Sequence, residues 1–388
     1  MKDSAWKRRD ILKAGGLLAA SAPLAGLRLT NKDRSLPISL PQDARFRKPA
    51  RPVTAVVLGA GNRGNVYASY SQKYPDELKI VGVAEPIEYR RKRFAALHQI
   101  PGKYQWVTWE HALQIPKFAD ALIITTPDHL HYGPAVGGLG MGYGLLLEKV
   151  IAQTWDQCND ILQAAKKNSR IVAVCHVLRY TPYFRKLKEV TDSGALGEIV
   201  SLQHFEPVEH IHMSHSFVRG NWRNSKESNP IILSKSCHDL DILRWTIGKP
   251  CRCVYHCDND VVDHQVVNME FEGEITAAFS MEAFTSCAGR RTRVMGTKGD
   301  AVGDMTTLAL YDFKKRTQTV WDASHTPESQ SGHGGGDFGL AHDFVRAVSQ
   351  QDPTLLTSTI EASMESHLMG FKAEESRLSG ATVEVRMG

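Results

Sequence analysis

The chain has 388 residues, 42% of them hydrophobic and 23% charged, which is ordinary globular composition, long enough for two domains with their own cores; it excludes a fibrous or disordered protein. The formal charge of +5 gives no case for a nucleic-acid partner, because residues 1–50 hold 11 Lys/Arg against 4 Asp/Glu and the remainder is near −2. Seven cysteines, an odd number, do not suit a disulfide framework in a chain of this size.

Residues 1–30 explain the charge asymmetry. Lys7-Arg8-Arg9-Asp10-Ile11-Leu12-Lys13 precedes a mild Gly/Ala-rich apolar stretch over 14–27, which reads as a twin-arginine export signal. That stretch is too short for a confident membrane span, so no stable span is expected after processing, and the mature protein is expected in the periplasm or otherwise exported. Ala20-Ser21-Ala22 is a candidate cleavage site, with Pro23 unfavourable directly after it. Residues 31–52, with four prolines, read as a flexible leader.

From residue 53 to 175 strand and helix signals alternate, as a parallel doubly wound (Rossmann) sheet requires. The apolar run 53–58 ends in Gly59-Ala60-Gly61-Asn62-Arg63-Gly64. Such glycines allow a tight strand-to-helix turn and let the backbone approach a pyrophosphate at the helix N-terminus. The second run, 78–84, ends in Glu85, 21 residues after Gly64, where a carboxylate bonds the two ribose hydroxyls of NAD. An acid at that strand end repels a 2′-phosphate and favours NAD over NADP, although Arg90, Arg91 and Arg93 soften that preference. Helices are expected over 64–73, 87–98 and 156–168, and further strands over 121–126, 144–147 and 171–175.

In an open parallel sheet the ligand lies beyond the carboxyl ends of the strands. Three such ends carry functional side chains: Thr126-Pro127-Asp128 with His131, then Glu148-Lys149, then Cys175-His176 with Arg179 and Tyr180. Lys149 is the candidate proton carrier beside the nicotinamide, with Glu148 as its partner.

Residues 176–375 read as a substrate domain of the α+β kind, built on an open, mostly antiparallel sheet, and 376–388 as a C-terminal segment. A helix to about residue 193 precedes strands over 198–206, 261–272 and 275–282, and helices over 338–349 and 359–377 close the chain. Residues 329–337, with four glycines, read as a mobile loop. Cys251, Cys253 and Cys257 share one face of a strand and are read as strand thiols rather than a zinc site, because no second pair matches them.

Ser234-Lys235-Ser236-Cys237-His238-Asp239-Leu240-Asp241 starts a helix that places His238 and Asp241 on one face, so the carboxylate is expected to fix the imidazole tautomer of a general acid or base. His210, His212 and His215, with Arg219, Trp222 and Arg223, form another polar cluster. No carboxylate or cysteine completes a metal set there, and a rim over a sugar is the preferred reading, with Trp222 stacking on the ring and the arginines bonding hydroxyls or a carboxylate.

Taken together, the 59–64 fingerprint, Thr126-Pro-Asp-His-Leu-His131, Glu148-Lys149, Arg179-Tyr180-Thr-Pro182 and His238-x-x-Asp241 resemble the glucose–fructose oxidoreductase / inositol dehydrogenase (Gfo/Idh/MocA) family over residues 53 to about 385. The resemblance implies a nucleotide domain joined to a sheet domain that holds a sugar or polyol beside the nicotinamide. It implies Lys149, His238 and Asp241 as catalytic residues, and Lys149, Arg179, Tyr180, His212, Arg219, Trp222, Lys235 and His238 as substrate contacts. It also implies a homo-oligomer, a dimer or more, formed through the sheet face. Two departures stand out: Val150 replaces the proline of the family's usual Glu-Lys-Pro and puts its cis geometry in question, and Ser234 stands where family dehydrogenases often carry an aspartate. Losing that carboxylate weakens a simple alcohol dehydrogenase reading and leaves open an NAD-dependent glycosidase or lyase working through a transient 3-keto sugar.

Overall fold

The computed structural model describes residues 49–387 except 225–227, 257–261, 287 and 327–331. The export signal and most of the leader therefore lie outside the described residues, as do Cys257, Val261 and the start of the 329–337 segment.

The first sheet contains β1 (Val53–Leu58), β2 (Leu78–Ala84), β3 (Gln105–Trp106), β4 (Ala121–Ile124), β5 (Gly144–Leu147) and β6 (Val172–Val174), all parallel, in the order β3-β2-β1-β4-β5-β6. Its central strands are continuous apolar runs because both faces are covered. Helices α1 (Asn62–Lys73) and α2 (Glu88–Leu97) bury Tyr67, Tyr70 and Phe94 with Val53, Ala55 and Val57. On the opposite face, α3 (Tyr132–Gly140) and α4 (Trp155–Lys167) bury Leu139, Ile161 and Leu162 against Val56, Leu58 and Leu122. The strand order reverses between β1 and β4, which opens the crevice where this architecture binds its ligand.

After α5 (Pro182–Asp192), started by the Thr181 side chain accepting from the Phe184 amide with proline in the first turn, the chain builds a nine-stranded sheet. Its strands are β7 (Ile199–Glu209), β8 (Pro250–His256), β9 (His264–Phe271), β10 (Ile275–Thr285), β11 (Arg291–Gly296), β12 (Gly299–Gly303), β13 (Thr307–Asp312), β14 (Thr317–Asp322) and β15 (Val383–Glu384). The order is β14-β13-β12-β11-β7-β10-β9-β8-β15, antiparallel throughout except for the parallel β7–β10 pair. β9 alternates exposed and buried residues along its whole length, so one face packs and the other is open. The packed face meets α5, α6 (Cys237–Ile247) and the C-terminal helix through Leu187, Leu202, Leu240, Phe279 and Leu368.

Two late helices return to the nucleotide domain. In α7 (Gly336–Gln350), Leu340, Phe344 and Val345 join the core of β1 and α1. In α8 (Ile360–Ser379), capped by Thr359 and ended by left-handed Gly380, Ile360 and Met364 pack under the other face, while Leu368 and Met369 pack under the second sheet. No described helix is long and apolar enough to cross a membrane.

Candidate active site

The glycine turn is shaped by steric necessity. Gly59 adopts φ +96°, and a Cβ there would lie 2.6 Å from the Thr125 carbonyl oxygen; a Cβ on Gly64 would lie 2.1 Å from the Gly59 oxygen. At Gly61 a Cβ would meet nothing within 4 Å, so the first turn of α1 is open on the side where a pyrophosphate would approach. Glu85, buried at the end of β2, accepts from the amides of Ala60 at 2.8 Å and Ile87 at 3.0 Å, which fixes its carboxylate at the rim of that crevice with lone pairs left for hydroxyls. These residues fit a dinucleotide.

Other residues expected to touch the cofactor are engaged elsewhere. Arg63 turns inward over the Tyr67 ring, bonding Glu148 at 2.6 Å and Asp337 at 2.7 Å. Its charge is matched there by two buried carboxylates. His131 is buried with Nδ1 2.6 Å from the Val150 carbonyl oxygen and Nε2 2.9 Å from that of Thr126, so it braces the strand ends rather than presenting a ring to a ligand. Asp128 accepts from Trp222 Nε1 at 3.0 Å and Asn229 Nδ2 at 3.4 Å, joining the two domains; Asn62 and Pro127 are exposed and Thr126 is half-buried at the crevice.

The expected Glu148–Lys149 ion pair is not formed. Glu148 takes Arg63, the Tyr67 hydroxyl at 3.1 Å and the Lys149 amide at 2.9 Å. Burial pushes its carboxyl up, and Arg63 and Lys149 outweigh that and hold it below the usual range. The Lys149 ammonium instead donates to the carbonyl of Ser234, four residues before His238, and lies 5.5 Å from the centre of the Trp222 ring. The Lys149–Val150 peptide is cis although no proline is present.

His238 sits at the start of α6, 8% exposed, with a buried Nδ1 that has no partner. Burial first, then Lys149, His176, Arg290 and His333, hold it far below its ordinary pKa, so the ring is neutral. Asp241 does not orient it. That carboxylate receives Arg179 Nε and Nη2, both at 2.6 Å, and Ser366 Oγ at 3.1 Å, because the same helix face that carries His238 also meets Arg179 and α8. Arg179 and Tyr180 are therefore not substrate contacts: Arg179 is buried on Asp241 and the Thr357 carbonyl, and the Tyr180 hydroxyl is buried 2.9 Å from Ser358 Oγ. His176, also buried, stands 3.8 Å from Asp241 and edge-on to His238, with neither ring nitrogen bonded.

Ser234 folds its hydroxyl back to the Pro230 carbonyl at 3.3 Å. Lys235 is not a free cation, since it pairs with Glu206 at 2.9 Å. Arg290 bridges Glu206 at 2.7 Å and Asp239 at 2.6 Å, and Asp239 also takes His204 at 2.9 Å; this buried network of β7, α6 and the start of β11 carries no sequence signature, because its members come from distant strands. Along the rim, His212 and Arg219 are exposed and Trp222 is half-buried. Among the described residues no group of three or more His, Cys, Asp or Glu could hold a metal ion.

Sequence reasoning also missed His333 and Asp337. Their spacing within a glycine run that opens a helix was the available signal: His333 Nδ1 lies 3.0 Å from Asp337 Oδ2, and the ring centre lies 6.2 Å from that of His238.

Comparisons with known proteins agree with this architecture. The family model GFO_IDH_MocA, described as an oxidoreductase family with an NAD-binding Rossmann fold, matches residues 53–176, and its C-terminal domain model matches 184–302. The uncharacterized oxidoreductase YrbE of Bacillus subtilis (strain 168) is 22% identical over 66% of this chain and 74% of its own length. The 2,7-anhydro-N-acetylneuraminate hydratase of Escherichia coli (strain K12) is 24% identical over 36% of each chain. For most of the curated relatives it matches, the chain spans about half of their length or less. Among solved structures, levoglucosan dehydrogenase in complex with NADH and levoglucosan has the same fold, with a TM-score of 0.77 at 18% identity over 87% of this chain and all of that one. With both domain models matched over more than half of its length, the chain belongs to the Gfo/Idh/MocA oxidoreductase family, and its first domain is an NAD-binding Rossmann domain.

Proposed function

We propose that the protein is an exported NAD-dependent oxidoreductase acting at a ring carbon of a carbohydrate or cyclic polyol. One observation carries this reading: the Lys149 ammonium at the end of β5 is anchored to the Ser234 carbonyl just before α6, near enough to the buried His238 imidazole to help keep it neutral. The amides opening α1 and the carboxylate of Glu85 would hold NAD, which supplies the hydride acceptor. Lys149 would bond the substrate hydroxyl, and His238, uncharged through burial, would accept its proton. Trp222 offers a ring face to the sugar, and His212 and Arg219 its rim. The Lys7-Arg8-Arg9 leader supports export, and the open face of the second sheet supports a homo-oligomer; signal-peptide fusions and solution mass test these two points. A Lys149→Ala/His238→Ala double variant should lose substrate-dependent NADH absorbance by roughly 10²–10⁴-fold, and unchanged turnover refutes the assignment.

A second reading is favoured by Ser234, which leaves no carboxylate beside Lys149 at that position, and by the relative named as a hydratase. Here the enzyme is a glycosidase or lyase whose net reaction is redox-neutral, passing through a 3-keto sugar. Substrate incubated in deuterated water separates the two: exchange at C2 without net NADH indicates elimination, and NADH without exchange indicates oxidation.

A further inference from the structure

Alcohol oxidation needs one group to take one hydroxyl proton, and Lys149 with His238 suffices for that. The site holds a second imidazole with its own support. His333 lies on Gly332–Gly335 in a left-handed conformation, φ 51° and ψ 41°, followed by Gly334 and Gly335 at φ +61° and +96°. The segment is held in place: a Cβ on Gly332 would lie 2.4 Å from Asp337 Oδ2, and one on Gly336 would lie 2.2 Å from the Val177 carbonyl oxygen. Asp337 is 1% exposed, fixed on its other oxygen by Arg63 at 2.7 Å, and burial is outweighed by His333 and Arg63, which hold its carboxyl down to about 2. An ionised carboxylate at 3.0 Å from Nδ1 makes that nitrogen the donor and leaves Nε2 as the free one, on a side chain 41% exposed beside His238.

We infer that His333 is a second acid–base residue of the reaction centre, the base that takes a proton from the carbon next to a substrate carbonyl. The inference rests on the redox-neutral reading above and names its missing base. In the step, the C–H bond next to the carbonyl breaks and its proton goes to His333 Nε2. The electron pair forms the C–C double bond while the carbonyl oxygen takes the negative charge, facing the Lys149 ammonium. Collapse of that enolate then breaks the C–O bond on the following carbon, and the departing oxygen takes the proton from His333 Nε2 to leave as the alcohol; alternatively the proton returns to carbon. The charged and titratable groups around His333 are Asp337 on its own segment, His238 on α6, His212 at the rim, and Lys149, which acts on both of those histidines.

The experiment supplies the carbonyl directly. Holoenzyme is incubated in deuterated water with the α and β anomers of methyl 3-ketoglucopyranoside, and loss of the C2 proton signal is followed by NMR across pH, with bound nucleotide and melting temperature measured alongside. Exchange by the native chain should fall at least ~100-fold in His333→Gln. In Asp337→Asn the imidazole remains but loses the carboxylate that fixes its tautomer, so exchange should fall, by less than in His333→Gln. Undiminished exchange in His333→Gln overturns the role of His333 and leaves the redox-neutral reading standing. No exchange by the native chain overturns both and leaves plain oxidation.

Discussion

Arg179 and Asp241 are both buried and joined by two 2.6 Å bonds, so each is the other's replacement for water. Removing one partner strands a buried charge, which costs about 3–5 kcal/mol. Asp241→Ala should therefore lower stability by that amount in urea unfolding, and the pH profile of turnover in the folded fraction should keep its shape. A displaced profile at unchanged stability would return Asp241 to the role of orienting His238. Residue types were legible here, and partners were not. Helical spacing puts His238 and Asp241 on one face, but that face meets Arg179, Ser366 and His176 from three other segments, and the guanidinium offers the carboxylate a better fork than an imidazole. Glu148 and Lys149 diverge for the same reason: consecutive residues after a strand point to opposite sides, one to Arg63 and one to Ser234.

At the scale of elements, the turn between β1 and α1 makes a sharp distinction between its glycines. Gly64→Ala drives a methyl into the Gly59 carbonyl, a backbone atom that cannot yield, and should cost about 1–3 kcal/mol. Gly61→Ala meets no atom within 4 Å and should fold as the native chain does, yet hold NAD more weakly, because its methyl occupies the space over the first turn. Equilibrium dialysis with NAD plus thermal melts separates the two, and equal melting temperatures for the two variants would contradict the steric account. The buried parallel strands were readable because both faces are covered, which writes them as unbroken apolar runs. Strands β11 to β14 were not readable: they are five or six residues long, β12 begins and ends in glycine, and they exist through pairing outward from β7. The glycine-rich run near residue 335 reads locally as a loop, and its contacts with Arg63 and Val177, both remote in sequence, place it at the start of α7.

For the whole molecule, the chain crosses from the nucleotide domain to the second sheet and comes back through α7 and α8, so the layer between the domains is made of side chains from the middle and the end of the sequence. That layer is rich in histidines that burial keeps neutral. Burial, its largest cause, holds His176 down to about 3 and His367 down to about 4, while His367 is satisfied by the Ile151 amide and the Ser363 carbonyl and His176 has no bonded nitrogen. Released by unfolding, both rings bind protons near pH 6.5. Between that pH and the folded values the unfolded state holds more protons, so stability is complete above about pH 6.5 and drains away as pH falls toward 4 and 3. Asp120 and Asp337, both held down to about 2, act in the same direction only below about pH 4. The window from pH 6 to 5 therefore belongs to histidines, each worth up to about 1.4 kcal/mol per pH unit. His176→Leu removes one such group together with its unbonded nitrogens, so urea unfolding of the holoenzyme at pH 7, 6 and 5 should show a shallower loss of stability, by up to that slope. Parallel curves for variant and native chain would mean that His176 is already protonated in the folded state, balanced by Asp241 at 3.8 Å.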